Sequence, residues 1–478
     1  MSKPGNIAKN TSYLTVALII QKIISFAYFI LLARYLGLDL LGQYYTALAF
    51  TTIFSIFIDL GFANILTREV AKDQTKGSLW LRSVISMKIV LAIITFILAL
   101  IIAYFFYSPS LLILIIISSL SMILDSFTST FFAVVRGFHN LKYESVASII
   151  FQFIVFVLGL LLIYFKLPLV AFVGIVVIAS SFNFLYSFFI IKFRLKLKVA
   201  PNWNINVFKE ILQLSWPFAL YNIFQRLYLY LDSLLLGFLA NYNQVGIYQI
   251  AFKLIFALQF LPMAFTASLY PAMSSFWQNN RNKLQVTFEK ALNYLLILSI
   301  PIIFGVFSLA DQIIPLFKVG SEAIWPLRIA IFALVFMFLN FPVGSLLNAC
   351  DRQKKNTFNM GLATVFSVTL NLALIPLWQA LGASITVLMS NALMFFLGLF
   401  SLKGLIDFRT MNTLKVLFKT LLAALVMLIL IYLIKPYLNV FLAVGLAGLS
   451  YFFALYSFGG INQKDIRDII NSFKKNKL

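Results

Sequence analysis

The chain has 478 residues, 62% hydrophobic and 11% charged, with a mean hydropathy of +0.98. Soluble domains are about 45–50% apolar and about 25% charged, so a soluble enzyme or scaffold is excluded and a multi-span membrane protein is implied. Of the rest, the single Cys350 rules out an internal disulfide framework, the single His139 argues against a His-rich metal site, and the net charge of +22 has to be read from where it falls.

A bilayer core of about 30 Å takes about 20 apolar residues per helix. Dividing the chain at its charged and Gly-, Pro- or Asn-rich points predicts fourteen membrane helices. The first, 12–35, follows the short basic stretch MSKPGNIAKN and lacks an A-x-A-like cleavage site, so it reads as a retained span rather than a signal peptide. The next five are 42–66, 80–106, 111–135, 143–165 and 169–191. Then come 209–237, 246–273, 286–310, 325–350, 357–378 and 381–401, and last 413–434 and 437–458.

The basic residues set the orientation. Lys3, Lys9, Arg68, Lys72, Lys76 and Arg82 fall on one side, as do Arg136, Lys142 and the run Lys192, Arg194, Lys196, Lys198. The loops near Arg281, Arg352 and Lys403 and the basic segment 461–478 join them. The opposite side has only Arg34, Lys166, Lys318, Arg328 and Lys435. Positive-inside bias then places both termini in the cytoplasm of a cell membrane. It explains the charge as topology plus attraction to anionic lipid, with no nucleic-acid partner.

An internal repeat is visible. Gln21-Lys22 in the first span and Gln225-Arg226 in the seventh are offset by 204, and so are the Gly-x-Tyr triplets at Gly42 and Gly246. The turns VRGFHNLKYES and LNACDRQKKNT put short basic loops at corresponding places. Spans 1–6 and 7–12 thus read as two copies in one orientation, an arrangement of transporters with a site between the copies. The predicted fold is all-α: a lobe at 1–200, a parallel six-helix lobe at 201–402, two accessory helices at 403–460 and a basic cytoplasmic tail at 461–478.

Charges at mid-depth cost about 2.5–3.5 kcal/mol on the lenient insertion scale, so each needs a reason. Lys22 is about ten residues from either end of its span, too deep to snorkel, and reads as a cavity residue or one partner of a structural ion pair. Asn222, Arg226, Tyr230 and Ser233 share one helix face, as do Ser118, Ser121, Asp125 and Thr128. Asp125 reads as a counter-ion or a proton carrier. Asp232 lies about 9 Å along the axis from Arg226, out of reach on that helix, and the expectation is a structural pair with Lys253. Asp59 and Lys88 lie near cytoplasmic ends, where Lys88 can snorkel. Lys22 and Arg226, at equivalent positions of the two copies, would face one another across a cavity suited to a phosphate or pyrophosphate. Gln21, Gln225, Asn222 and Lys253 complete this candidate anion site, with Asp125, Asp232 and Asp59 as candidate counter-ion or proton-coupling groups. Trp216-Pro217, Pro262, Pro271, Pro301 and Pro342 supply bends for rocking.

The sequence contains no P-loop, HExxH, Cys/His metal spacing or nucleophile elbow, and no cofactor is expected. Two stretches carry a family resemblance. ARYLGLDLLGQYY…DLGFANILTREVAKD (Ala33–Asp73) resembles the start of Wzx-type polysaccharide flippases, members of the multidrug/oligosaccharidyl-lipid/polysaccharide exporter superfamily. DSLLLGFLANYNQVGIYQIAFKLI (Asp232–Ile255), followed by LYPAMSSF (Leu269–Phe276), does so too. The resemblance implies a V of two six-helix bundles around a cationic cavity, and transfer of a polyprenyl-pyrophosphate-linked oligosaccharide to the outer leaflet without enzymatic chemistry. It also implies a lipid-tail groove at spans 13 and 14, partner polymerases or glycosyltransferases, and a structural role for Arg68 and Glu69. A cation-coupled multidrug exporter and a membrane-embedded glycosyl or prenyl transferase are the competing readings.

Overall fold

A computed structural model describes residues 4–406, 408 and 410–460. The predicted tail 461–478 lies outside the described residues. Among the described residues the chain forms fifteen α-helices with short 3-10 and π turns. Eleven stretches among the described residues are long and apolar enough to cross a membrane. Two of them, Thr15–Ile58 and Gln353–Ser401, are kinked pairs of helices, and Arg226 and Asp232 dilute the hydropathy of a further long helix, Ile205–Leu239. The fourteen predicted spans are thereby accounted for, in a multi-pass membrane protein.

The chain divides into two compact units. The first comprises Met1–Phe260 and Met360–Ala383. Its first helix, α1 (Pro4–Ile58), bends at Gly37, whose φ of 71° is open to glycine at little cost. Gln43 donates to Asp39 just beyond the bend (2.8 Å). The predicted second span runs to residue 66, but the helix breaks at Asp59–Gly61 and restarts as α2 (Phe62–Lys72), a short charged amphipathic helix. Gly61 has φ 80°, and a Cβ there would stand 2.9 Å from the Phe218 Cβ and the Ala219 nitrogen. The chain continues through α3 (Gly77–Phe106), α4 (Pro109–Gly137), α5 (Lys142–Tyr164), α6 (Leu169–Phe189), α7 (Ile205–Leu239) and α8 (Tyr242–Leu258). Ser108 caps α4 ahead of Pro109, while Asn204 and Asn241 cap α7 and α8 through their side-chain oxygens.

The repeat-related glycines meet in this unit. A Cβ on Gly42 would collide with the carbonyl oxygen of Tyr242, and one on Gly246 with that of Leu38. Backbones of α1 and α8 therefore touch where both copies carry Gly-x-Tyr, the close approach that small residues permit between membrane helices.

The second unit comprises Leu261–Asn359 and Ser384–Leu478. It contains α9 (Phe260–Asn279, from its second residue), α10 (Arg281–Ile313), α11 (Ile324–Ala330), α12 (Ala333–Ala349), α14 (Thr410–Ile434) and α15 (Val440–Ser457). The ends of α13 (Gln353–Ser401) belong here and its middle to the first unit; Gln379 breaks it at φ 50°. Two predicted spans are likewise interrupted: 246–273 at Gln259, between α8 and α9, and 325–350 at Ile331–Phe332, between α11 and α12. Helices α10, α14 and α15 close on a core that includes Ile297, Ile300, Leu309, Met427 and Tyr451, with Ala423, Ala424, Ala443 and Ala447 allowing close packing.

Candidate functional site

The first unit encloses a cavity of about 300 Å³ lined by α1, α4, α6, α7 and α8. Helix α1 supplies Thr51, Thr52, Ser55 and Asp59, α4 supplies Ser121, Asp125, Ser126 and Ser129, and α6 supplies Val176. Arg226 and Tyr230 come from α7, and Gln249 and Lys253 from α8. Each set lies on one face of its helix, because positions three, four and seven apart align. The walls come from both of the stretches whose sequences read as copies, 1–200 and 201–402.

Four ionisable groups define the electrostatics. Arg226 sits within electrostatic reach of Asp125 and donates from Nη1 to the Thr52 carbonyl (3.3 Å). Lys253 places its Nζ 4.5 Å from the ring centroid of Tyr45, a cation–π contact. Asp125 is exposed to the cavity. Asp59 is already engaged: its carboxylate pairs with Lys88 (3.3 Å) and accepts from the Ala63 amide (3.3 Å), the start of α2. With Asp59 neutralised by Lys88, Arg226 and Lys253 outweigh Asp125, and the lining is net basic. A guanidinium with spare N–H groups can grip a phosphate bidentately, and an ammonium adds a point charge.

Of the sequence-predicted residues, Arg226, Lys253, Asp125 and Asp59 converge on this cavity. Gln21, Lys22, Asn222 and Gln225 are half-buried and outside its lining. Lys22 instead sets its Nζ 3.8 Å from the centroid of the Phe256 ring, within electrostatic reach of Lys253.

Two expectations are corrected. Asp232 forms no ion pair with Lys253. It is buried at 3% exposure and held by neutral donors: Tyr248 Oη (2.9 Å), Asn371 Nδ2 (2.6 Å) and Ser367 Oγ (3.4 Å). Lys88 does not snorkel. It is fully buried and donates to the Ser126 carbonyl (2.9 Å) and hydroxyl (3.1 Å) as well as to Asp59. Arg68 and Glu69 stand together on α2: burial pushes the Glu69 carboxyl up, but hydrogen bonds from Lys72 and Arg68 outweigh it and hold the pKa below the ordinary value. Thr52 and Ser55 are lining residues that the sequence-based expectations missed, although with Asp59 they form a polar i, i+3, i+7 stripe that would have pointed to them. Among the described residues no group of three His, Cys, Asp or Glu side chains could hold a metal ion.

The profile of the family described as "Polysaccharide biosynthesis protein" matches residues 7–277, more than half of the chain and every residue lining the cavity. This chain belongs to that family. A second profile, MatE, matches residues 217–373, and the two together place this family member among the transporters of the MOP superfamily. An uncharacterised membrane protein of Methanocaldococcus jannaschii is 23% identical over 475 residues, covering 91% of this chain and 92% of the relative. A protein of Haloferax volcanii named as the probable flippase AglR is 28% identical over 179 residues, 36% of this chain and 37% of its own length. The fold is similar to that of the lipid II flippase MurJ in an inward closed conformation, with a TM-score of 0.77 at 18% identity over 96% of this chain and 99% of that one.

Proposed function

We propose that this polysaccharide-biosynthesis family member is a flippase that carries a polyprenyl-(pyro)phosphate-linked oligosaccharide from the inner to the outer leaflet by alternating access, in a cell membrane with both termini in the cytoplasm. The observation that carries this reading is the net basic cavity, in which Arg226 and Lys253 come from one repeat copy and the facing hydroxyls of α1 and α4 from the other. At about 300 Å³ it is at the lower limit for ligand sites, so it takes the anionic head and leaves the lipid chain outside. Lys22, within electrostatic reach of Lys253, with its neighbour Gln21, and Asn222 and Gln225, on the helix of Arg226, guide the head group on its way in. Asp125 is the counter-ion of Arg226 when the cavity is empty and releases it to the phosphate, while Asp232 remains a candidate coupling group. Glycosyltransferases and a polymerase would supply the substrate and consume the product.

The test is restoration of surface glycan in cells that lack their own flippase. Arg226→Ala and Lys253→Ala are expected to lower export by about a hundredfold each at unchanged protein level, as loss of a charge-assisted contact to phosphate implies. Wild-type export by both variants would overturn the anion site. A cation-coupled drug exporter would show the opposite pattern, losing efflux in Asp125→Asn and tolerating the loss of Arg226.

A further inference from the structure

The loop after α6 makes a second basic site, on the outside of the first unit. Helix α6 ends in a π turn (Ile190–Arg194), and the chain then runs across α3 to the Asn204 cap of α7. It is strapped down on three successive turns of α3. Ser78 Oγ accepts from the Lys198 amide (3.1 Å) and donates to its carbonyl (3.3 Å). Arg82 Nε donates to the Ala200 carbonyl (2.7 Å). Ser86 Oγ accepts from the Asn202 amide (2.8 Å) and donates to its carbonyl (3.1 Å). Alternation then separates chemistry by side. Leu195, Leu197 and Val199 pack on the apolar core beneath, while Lys192, Arg194, Lys196 and Lys198 are exposed.

Between strap and helices lies a pocket of about 580 Å³, lined by Arg82, Lys192, Lys198, Phe188, Leu197 and Val199. Three cations and apolar walls meet there with no acidic side chain. Arg82 commits only its Nε–H to the strap, so its terminal N–H groups remain as donors. Lys192 Nζ lies 5.6 and 5.5 Å from the Phe188 and Phe193 ring centroids. On the same segment Phe189, Phe193 and Trp203 are more than half exposed, and tryptophan is a residue type enriched at a membrane–water interface. A soluble anion has no use for these aromatic and aliphatic walls. A phospholipid has: its head group takes the cations and its upper acyl chain lies on the walls.

We propose that this pocket is a binding site for an anionic phospholipid head group of the inner leaflet, distinct from the transport cavity. The site is a rigid one, because its floor is fixed by the strap before any lipid arrives.

Native mass spectrometry of the full-length protein in detergent tests it, with phosphatidylglycerol, phosphatidylcholine or inorganic phosphate added. Lys192→Gln/Lys198→Gln removes two exposed side chains and leaves the strap, which uses only the backbone of Lys198. The wild type is expected to retain phosphatidylglycerol in preference to phosphatidylcholine, with the preference reduced about tenfold in this variant. The exposed pair Lys354→Gln/Lys355→Gln is the control and is expected to change it little. Equal retention of the two lipids, an equal drop in the control, or full displacement of the lipid by inorganic phosphate would each overturn the proposal. The readout is lipid retention rather than export, so it stands or falls independently of the flippase reading.

Discussion

At the scale of single residues, the chain keeps its membrane charges by giving each a compensating neighbour. Lys88 has an acid and two oxygens of Ser126, Arg226 has a carbonyl and a carboxylate within reach, and Lys22 and Lys253 have aromatic faces. The Lys88–Asp59 pair is the structural member of this set. Taking away one partner of a buried pair leaves an uncompensated charge, at a cost of about 3–5 kcal/mol, whereas removing both is far milder. Lys88→Met is therefore expected to lower the unfolding temperature in detergent sharply, and the double variant Lys88→Met/Asp59→Asn to recover most of the loss. A double variant no more stable than the single one would show that the pair does not matter. The sequence marked Lys88 and Asp59 as charges near span ends. It could not show that they meet, because their partnership depends on where α1 breaks relative to α3.

At the scale of elements, proline acts through the carbonyl it leaves behind. Pro301 lies inside α10 and has no N–H to give to the carbonyl of Ile297. In a bilayer that carbonyl cannot turn to water. Tyr451 of α15 fills the gap, donating its hydroxyl to the Ile297 oxygen (3.0 Å). The bend and the tyrosine are one device. Tyr451→Phe is expected to cost about 1 kcal/mol in the native background. In Pro301→Ala, where the helix supplies its own donor, the same change should cost close to nothing. Equal costs in both backgrounds, measured as a double-mutant cycle of thermal stability, would refute the coupling. Pro301 was legible in the sequence as a bend. Its partner, some 150 residues away, was not, since nothing local to Tyr451 records which carbonyl lacks a donor.

At the scale of the molecule, the last two helices are part of a packed unit. They cover Ile297, Ile300 and Leu309 of α10, and Lys435, just past the end of α14, pairs with Asp311 of α10 (2.5 Å). Deleting residues 410–460 would strip these contacts and orphan the Ile297 carbonyl. The expected result is little folded protein in the membrane fraction, read by fluorescence-detected size-exclusion chromatography. A truncated protein that stays monodisperse at full level but loses export would instead assign the two helices to the substrate. The cavity, for its part, lies wholly within the other unit, so its basic character does not depend on α14 or α15.

The sequence by itself determined the class and the number of spans, because hydrophobic length is a one-dimensional signal that a bilayer enforces, and the stretches Ala33–Asp73 and Asp232–Ile255 carried the resemblance to the family. It also placed Arg226, Asp125, Asp59 and Lys253 among the residues worth attention, since any charge at depth has to be explained. Only the tertiary structure decided which of these share a cavity. It gave Asp59 to Lys88, gave Asp232 to Tyr248, Asn371 and Ser367, and set Lys22 against Phe256. A helix face is fixed by spacing, but what it faces depends on rotation and on breaks such as those at Gly37, Asp59–Gly61 and Gln379, which residues distant in sequence help to settle.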